Sequence, residues 1–148
     1  MCILNKKSVD KGDDIWDKFP PVFMKSLKPQ CDERNISVKK IQIVHCDHKD
    51  RPAWAQNDAM MEAYIDGMDY GYRINDDTLL RTVGWTEKFI GILSSMDPPN
   101  VGVVGPTHSG GNVKILTYDF TSSTHIDIFG FHYPKMFTDW FAGMVKCY

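Results

Sequence analysis

Two adjacent carboxylates near the middle of the sequence are the residues best suited to chemistry. They are Asp76 and Asp77, in the segment Asn75-Asp76-Asp77-Thr78 that directly follows an alternating stretch, Asp69–Ile74. Neighbouring carboxylates repel each other unless a cation or hydrogen-bond donors compensate their charge. Hard divalent ions such as Mg²⁺ and Mn²⁺ take oxygen ligands and often bridge phosphates. The segment therefore favours a metal site for a phosphorylated ligand, and a turn or helix cap is the alternative.

Two further polar clusters carry side chains or backbone groups that bind ligands. His45-Cys46-Asp47-His48 offers ligands for Zn²⁺ or Fe²⁺, although on a strand His48 would point away from His45 and Asp47. A plain polar loop is the favoured interpretation there. Pro106–Asn112 is rich in glycine, and glycine lets backbone N–H groups approach an anion. Its spacing matches neither the P-loop nor the dinucleotide fingerprint, so a phosphate cradle, an acceptor-gating loop and a surface loop all remain open.

The pattern of apolar residues predicts the elements that would position these clusters. Strands and helices alternate along the chain, with Asp50 as the predicted N-cap of the first helix and Gly67 as its end. That order predicts a mostly parallel sheet with helical crossovers, in which ligands bind at the carboxyl ends of the strands. The predicted elements are a strand over Ile36–Val44, a helix to about Asp66, a strand over Asp69–Ile74, a helix over Gly84–Met96, a strand over Val101–Gly105, an extended segment over Val113–Phe120, a helix over Ser123–Phe129 and a last element over Phe137–Lys146.

One amide lies on the apolar stripe of the first predicted helix. Asn57 follows Trp54 by three residues and precedes Met61 by four, so the three side chains share a helix face. An amide that faces inward needs hydrogen-bond partners or a ligand.

Two stretches of the sequence resemble the nucleotide-sugar half of a GT-A glycosyltransferase. They are Arg51–Asp58 and Gly67–Thr78, because in those enzymes a helix with an inward Asn precedes a strand that ends in a DxD-type motif. The later segments resemble the acceptor half, and the resemblance covers about residues 38–141: Val101–Pro106, Gly111-Asn112, Thr117–Phe120, Thr124–Phe129 and Tyr133-Pro134. The resemblance implies an α/β fold, a single three-layer domain with a mostly parallel central sheet and a Rossmann-like nucleotide-binding half.

The resemblance also implies roles on the donor side. Asp77 would be the main ligand of Mn²⁺ or Mg²⁺, Asp76 a second ligand or a contact to the sugar or ribose, and His125 a further metal ligand. His132 is an alternative to His125 in that last role. The residues expected to bind the nucleotide-sugar are Arg51, Asn57, Asn75, Asp76 and Asp77.

On the acceptor side, the resemblance implies that Asp139 is the general base. The acceptor hydroxyl must lose its proton as it attacks the anomeric carbon, and a carboxylate can take that proton. Core packing is the default interpretation of Trp140, and stacking on a sugar ring beside the general base is the functional alternative. The residues expected on this side are His108, Gly110, Gly111, Asn112 and Trp140.

Composition limits the other classes of function. The chain has 148 residues and a formal charge of −2, which argues against a general nucleic-acid binder. No apolar run approaches the ~18 residues of a membrane span, and the N-terminus lacks the apolar core of a signal peptide. We therefore expect no membrane span and a cytoplasmic location by default. We expect one domain over residues 1–148, with residues 1–35 poorly defined and leaving room for an incomplete domain.

The expected function is a metal-dependent glycosyltransferase. It would move a sugar from a nucleotide-diphosphate donor, with a UDP-sugar as the first guess, to a hydroxyl of a glycan or another acceptor. A catalytically inactive sugar- or nucleotide-binding module of the same fold is the first alternative. A metal-dependent hydrolase that uses His45, Asp47 and the Asp76/Asp77 pair is the second.

Overall fold

The computed structural model describes residues 2–4, 29, 32, 33, 42, 44–74, 78, 80–107 and 116–136. The chain divides into two compact units, one of Met1–Lys7 with Val44–Tyr148 and one of Ser8–Ile43. In the second unit Pro29, Asp32 and Glu33 are helical and exposed. The helices and strands named below all belong to the first unit.

The sheet of the first unit has three strands in the order β1-β2-β3. They are β1 (Cys2–Leu4), β2 (Tyr70–Arg73) and β3 (Asp119–Ser122). Both neighbouring pairs are antiparallel, with Arg73 opposite Asp119 in the second of them. The predicted mostly parallel, three-layer, Rossmann-like and GT-A-like sheet is therefore wrong.

The reason for the error lies in how the chain returns to the sheet. Val104 forms an antiparallel bridge with Phe120, and Phe120 is itself antiparallel to its partner Tyr72 on β2. The backbone at Val104 thus runs in the same direction as β2, as a helical crossover requires. Val104 and β2 do not pair with each other, because β3 lies between them. A strand-helix-strand pattern fixes the direction of the second strand but not its neighbour.

The helices follow the predicted pattern more closely. They are α1 (Pro52–Ile65), α2 (Trp85–Ser94) and α3 (Thr124–Phe129). Pro52 occupies the first turn of α1, where a missing N–H costs nothing, and Gly67 has the positive φ expected just beyond a helix. The predicted N-cap is wrong by one residue, because Arg51 is the N-cap and makes no side-chain capping bond. None of these helices is long and apolar enough to cross a membrane.

Other predicted elements fall partly or wholly outside the described residues. Of the strand predicted over Ile36–Val44, the structure describes Gln42 and Val44, and neither is in a strand. The predicted extended segment over Val113–Phe120 is described from Leu116 onward and contributes the first two residues of β3. The last predicted element, Phe137–Lys146, lies outside the described residues.

An aromatic cluster joins α2 to the sheet. Phe120 is fully buried, and its ring stacks on that of Tyr70 with the centroids 5.5 Å apart. Three further ring centroids surround that of Phe120, at 6.0 Å for Tyr72, 5.4 Å for Phe89 and 6.2 Å for Trp85. Ring pairs at these separations add to the stability that area burial alone provides. This cluster holds α2 against β2 and β3.

Two glycines give a matched prediction on packing. A Cβ at Gly105 would overlap the Leu116 side chain and the Tyr118 carbonyl oxygen, whereas a Cβ at Gly91 in α2 would meet nothing within 4 Å. We expect Gly105→Ala to lower the free energy of unfolding by about 1–3 kcal/mol. Gly91→Ala should raise it by about 0.5–1 kcal/mol, because alanine favours a helix over glycine. Urea unfolding measures both, and equal stability of the two variants would contradict the packing at Gly105.

Candidate functional site

A cluster of four buried polar side chains lies where β2 ends and β3 begins. We call it the Asp119 cluster, and its members are Asp119, Arg73, His132 and Tyr133. Arg73 is 7% exposed and Asp119 only 1%. Charged side chains are almost never this buried unless they are paired. The cluster is therefore where the described part of the chain departs most from an ordinary core.

Asp119 is the centre of the cluster, and three donors surround its carboxylate. Arg73, directly opposite on β2, donates from Nε to Oδ1 at 2.8 Å, and Tyr133 donates from its hydroxyl to the same oxygen at 2.7 Å. Nε2 of His132 lies 2.7 Å from Oδ2. Arg73 also donates from Nη2 to the carbonyl oxygen of Thr117. Both carboxylate oxygens are thus used, which is what a buried carboxylate requires.

Burial and the carboxylate of Asp119 shift the pKa of two neighbouring groups, Arg73 and Tyr133. Burial works against the charge of Arg73, but the Asp119 carboxylate outweighs it, so the pKa of Arg73 lies above its ordinary value. Burial and the same carboxylate raise the pKa of the Tyr133 hydroxyl. Arg73 is therefore a cation, and the Tyr133 hydroxyl is a protonated donor at neutral pH.

The two histidines next to the cluster have defined hydrogen bonds. A carboxylate and a carbonyl oxygen only accept, so Nε2 of His132 carries the proton toward Asp119. By the same reasoning Nε2 of His125 donates to the backbone oxygen of His132, at 2.9 Å. The two rings lie edge to face with centroids 5.5 Å apart. In the described part of the chain, no three His, Cys, Asp or Glu side chains are placed to hold a metal ion. The role of His125 as a metal ligand stays a prediction.

The loop that carries His132 and Tyr133 is anchored on α1. Asn57 donates from Nδ2 to the carbonyl oxygen of Tyr133 at 2.8 Å and accepts from the Tyr133 N–H at 2.6 Å. Trp54 donates from Nε1 to the carbonyl oxygen of Lys135 at 3.0 Å. The inward amide of Asn57 thus has partners within the protein. Its contact with a nucleotide stays a prediction.

The segment before α1 and its N-cap contain the other predicted residues that the structure describes. The exposed Arg51 lies over the ring of Trp54, with its guanidinium carbon 4.4 Å from the centroid. His48 bonds Asp58 at 2.9 Å. His45 and Asp47 of the predicted hydrolase site are exposed. Arg51 is the N-cap of the helix that carries Asn57, and its place near the nucleotide stays a prediction.

The remaining predicted site residues lie outside the described residues. For the two acidic segments among them, the structure describes the residue that comes directly before. The segment 75–77 follows Ile74, one residue beyond Arg73, and the segment 137–140 follows Met136, three residues beyond Tyr133. The residues concerned are Asn75, Asp76, Asp77, His108, Gly110, Gly111, Asn112, Asp139 and Trp140.

Sequence reasoning missed the Asp119 cluster as a unit. The available signal was a single charge inside an otherwise apolar or aromatic strand, Arg73 after Tyr70-Gly71-Tyr72 and Asp119 between Tyr118 and Phe120. Opposite charges on two such strands indicate a buried pair when the strands are neighbours. No order of the strands followed from the sequence patterns, so they gave no reason to place Arg73 opposite Asp119.

Comparisons of the chain with protein-family models, with curated proteins and with solved structures found no match.

Proposed function

We propose that this chain is a metal-dependent glycosyltransferase that moves a sugar from a nucleotide-diphosphate donor to an acceptor hydroxyl. The first donor to test is a UDP-sugar, and the acceptor class is a glycan or another hydroxyl compound. The observation that carries the proposal is that Arg73 and Tyr133 donate to one oxygen, Oδ1 of Asp119.

Arg73 and Tyr133, which both donate to this oxygen, precede the segments that contain Asp77 and Asp139. Asp77 lies four residues beyond Arg73, and Asp139 lies six residues beyond Tyr133. A fully extended chain spans at most about 3.5 Å per residue, so four residues span at most roughly 14 Å and six residues at most roughly 21 Å. Under the proposal, both segments contact one ligand near the Asp119 cluster, and these chain lengths are compatible with that.

The chemistry of these two segments suits glycosyl transfer. Asp76 and Asp77 supply the oxygen ligands that Mg²⁺ and Mn²⁺ prefer. When bound, such an ion neutralises the charge that develops on the diphosphate leaving group. Asp139 would accept the proton that the acceptor hydroxyl loses as it attacks the anomeric carbon. The site thus needs one acidic segment on each side of the sugar.

The test is thermal unfolding with Mn²⁺, with UDP, and with both together, for the wild type, Asp77→Asn and Asp47→Asn. A ligand at 100 times its Kd adds about 2.7 kcal/mol to the free energy of unfolding, a clear rise in Tm. We expect a rise that requires both ligands, disappears in Asp77→Asn and persists in Asp47→Asn. Asp47 is exposed and undergoes the same carboxylate-to-amide change. Because it belongs to the alternative hydrolase site, a rise that persists in Asp47→Asn also counts against that alternative.

The other outcomes separate the alternatives. A rise that survives in Asp77→Asn places the ligand elsewhere and contradicts the proposal. The absence of any rise, with cooperative unfolding intact, counts against a uridine donor site. Binding without release of UDP from UDP-glucose, across a panel of hydroxyl acceptors, would identify an inactive binding module.

A further inference from the structure

The segment that carries His132 and Tyr133 is fastened to the rest of the protein by side chains. We call residues 131–136 the strap. It follows α3 directly after Gly130, an exposed glycine with a φ of 73°, and it includes the exposed Met136. In the described part of the chain, no backbone–backbone hydrogen bond involves residues 131–136. The strap therefore lacks the backbone ladder that holds β2 against β3.

Six hydrogen bonds to other described residues fasten the strap, and each of them uses a side chain. They are two between Asn57 and Tyr133, one between Trp54 and Lys135, one between His125 and His132, and one each from His132 and Tyr133 to Asp119. Water can take the place of each partner once the strap has left. The net cost of breaking such a bond is therefore much smaller than the strength of the bond itself.

The two larger apolar clusters of the described residues do not depend on the strap. Neither the aromatic cluster nor the cluster of buried residues around Met60 contains a strap residue. Tyr133 packs instead in a small separate cluster with Ala53 and Trp54. Departure of the strap would thus leave both larger clusters intact.

The Arg73–Asp119 pair also stays complete without the strap. Arg73 bonds Oδ1 of Asp119 from the neighbouring strand, and it bonds the carbonyl oxygen of Thr117 as well. An open strap would take the donors of His132 and Tyr133 away from the carboxylate, and water would replace them. Neither charge would lose its partner, which is the change that makes the disruption of a buried ion pair so costly.

We propose that the strap opens and closes as one unit over the Arg73–Asp119 pair, while α1 and the sheet stay folded. Asn57 is its latch, because the side-chain amide binds both the N–H and the carbonyl oxygen of Tyr133. The closed strap shields the ion pair from solvent, and the open strap gives water access to it. This inference does not depend on the proposed function.

Hydrogen exchange of single N–H groups, followed by NMR in urea below the unfolding transition, tests the opening. Exchange through global unfolding exposes a large surface and accelerates steeply with urea, whereas exchange through a local opening depends on urea only weakly. The reference is the Phe120 N–H, which donates to the Val104 carbonyl oxygen at 2.7 Å. We expect the Tyr133 N–H to exchange faster than the reference and with a much smaller urea slope. Equal slopes would overturn the proposal, since the strap would then open only when the whole unit unfolds.

Asn57→Ala tests the latch at a distance. The probe is the indole N–H of Trp54, which bonds the strap at Lys135 and does not touch Asn57. Because the strap opens as one unit, loss of the two Asn57 bonds should speed exchange of this indole N–H by roughly 10- to 100-fold. Gln56→Ala is the matched control, because Gln56 is the neighbouring half-buried amide of α1 and makes none of the six bonds. It should leave the exchange rate unchanged.

The remaining outcomes decide the role of Asn57. An indole N–H that exchanges equally fast in Asn57→Ala and in the wild type would show that the bonds open separately and would overturn the latch. An equal acceleration in Gln56→Ala would do the same. The wild-type urea series decides whether the strap opens even if Asn57→Ala does not fold. Stabilisation by Mn²⁺ and UDP is measured separately, so either proposal can fail while the other stands.

Discussion

Asp119→Ala should lower the free energy of unfolding by about 3–5 kcal/mol, the usual cost of removing one partner from a buried ion pair. Arg73 would be left as an uncompensated cation that is 7% exposed, and the Tyr133 hydroxyl would lose its acceptor. Domains of this kind are stabilised by only about 5–15 kcal/mol in total. The variant should therefore unfold at a much lower urea concentration than the wild type.

Asp127→Ala is the matched control for that experiment. Asp127 also accepts a hydrogen bond from a tyrosine, at 2.5 Å from the Tyr64 hydroxyl, but Asp127 is exposed and Tyr64 is only partly buried. Surface substitutions usually change stability by about 0.5 kcal/mol or less. A loss below about 1 kcal/mol for Asp119→Ala, similar to the control, would contradict the burial of the Arg73–Asp119 pair.

Phe120→Ala should have a comparable effect for a different reason. Truncation of a buried phenylalanine typically costs about 3–5 kcal/mol, because the removed surface is replaced by a cavity. Phe120 is fully buried among four aromatic rings, and its backbone bonds Val104 on one side of β3 while pairing with Tyr72 on the other. Urea unfolding measures the loss.

Phe129→Ala is the control for this second variant. It removes the same side chain from the end of α3, where Phe129 is 43% exposed and contacts the His125 ring at 4.9 Å. We expect a loss of about 0.5 kcal/mol or less. If the two phenylalanines gave equal losses, the aromatic cluster would not be the core of the first unit.

The local elements could be predicted because their signals lie close together in the sequence. Pro52 and Gly67 mark the two ends of α1, and the spacing of Trp85, Phe89 and Leu93 marks the buried face of α2. These patterns repeat every three or four residues. The cap of α1 was misplaced by one position because Asp50, a good capping residue, has a positive φ of 59°.

The pairing of strands could not be predicted, because it depends on contacts between distant residues. Arg73 and Asp119 are 46 positions apart, and no local sequence pattern between them indicates that β3 pairs with β2. The candidate site was affected in the same way. Asn57 was recognised as an inward amide that needs partners, but its partner Tyr133 is 76 positions away. The acidic residues Asp77 and Asp139 stay predictions, because they lie outside the described residues.

The first strand of the sheet covers one edge of β2. Residues 2–4 pair with three of the four residues of β2, from Cys2 opposite Tyr72 to Leu4 opposite Tyr70, so that β2 lies between two strands. An uncovered strand edge offers unpaired N–H and carbonyl groups to other chains and invites aggregation. Trimming the first four residues would expose such an edge on the strand that carries Arg73. A preparation that begins after Leu4 would thus risk precipitation even though it retains all of the Asp119 cluster.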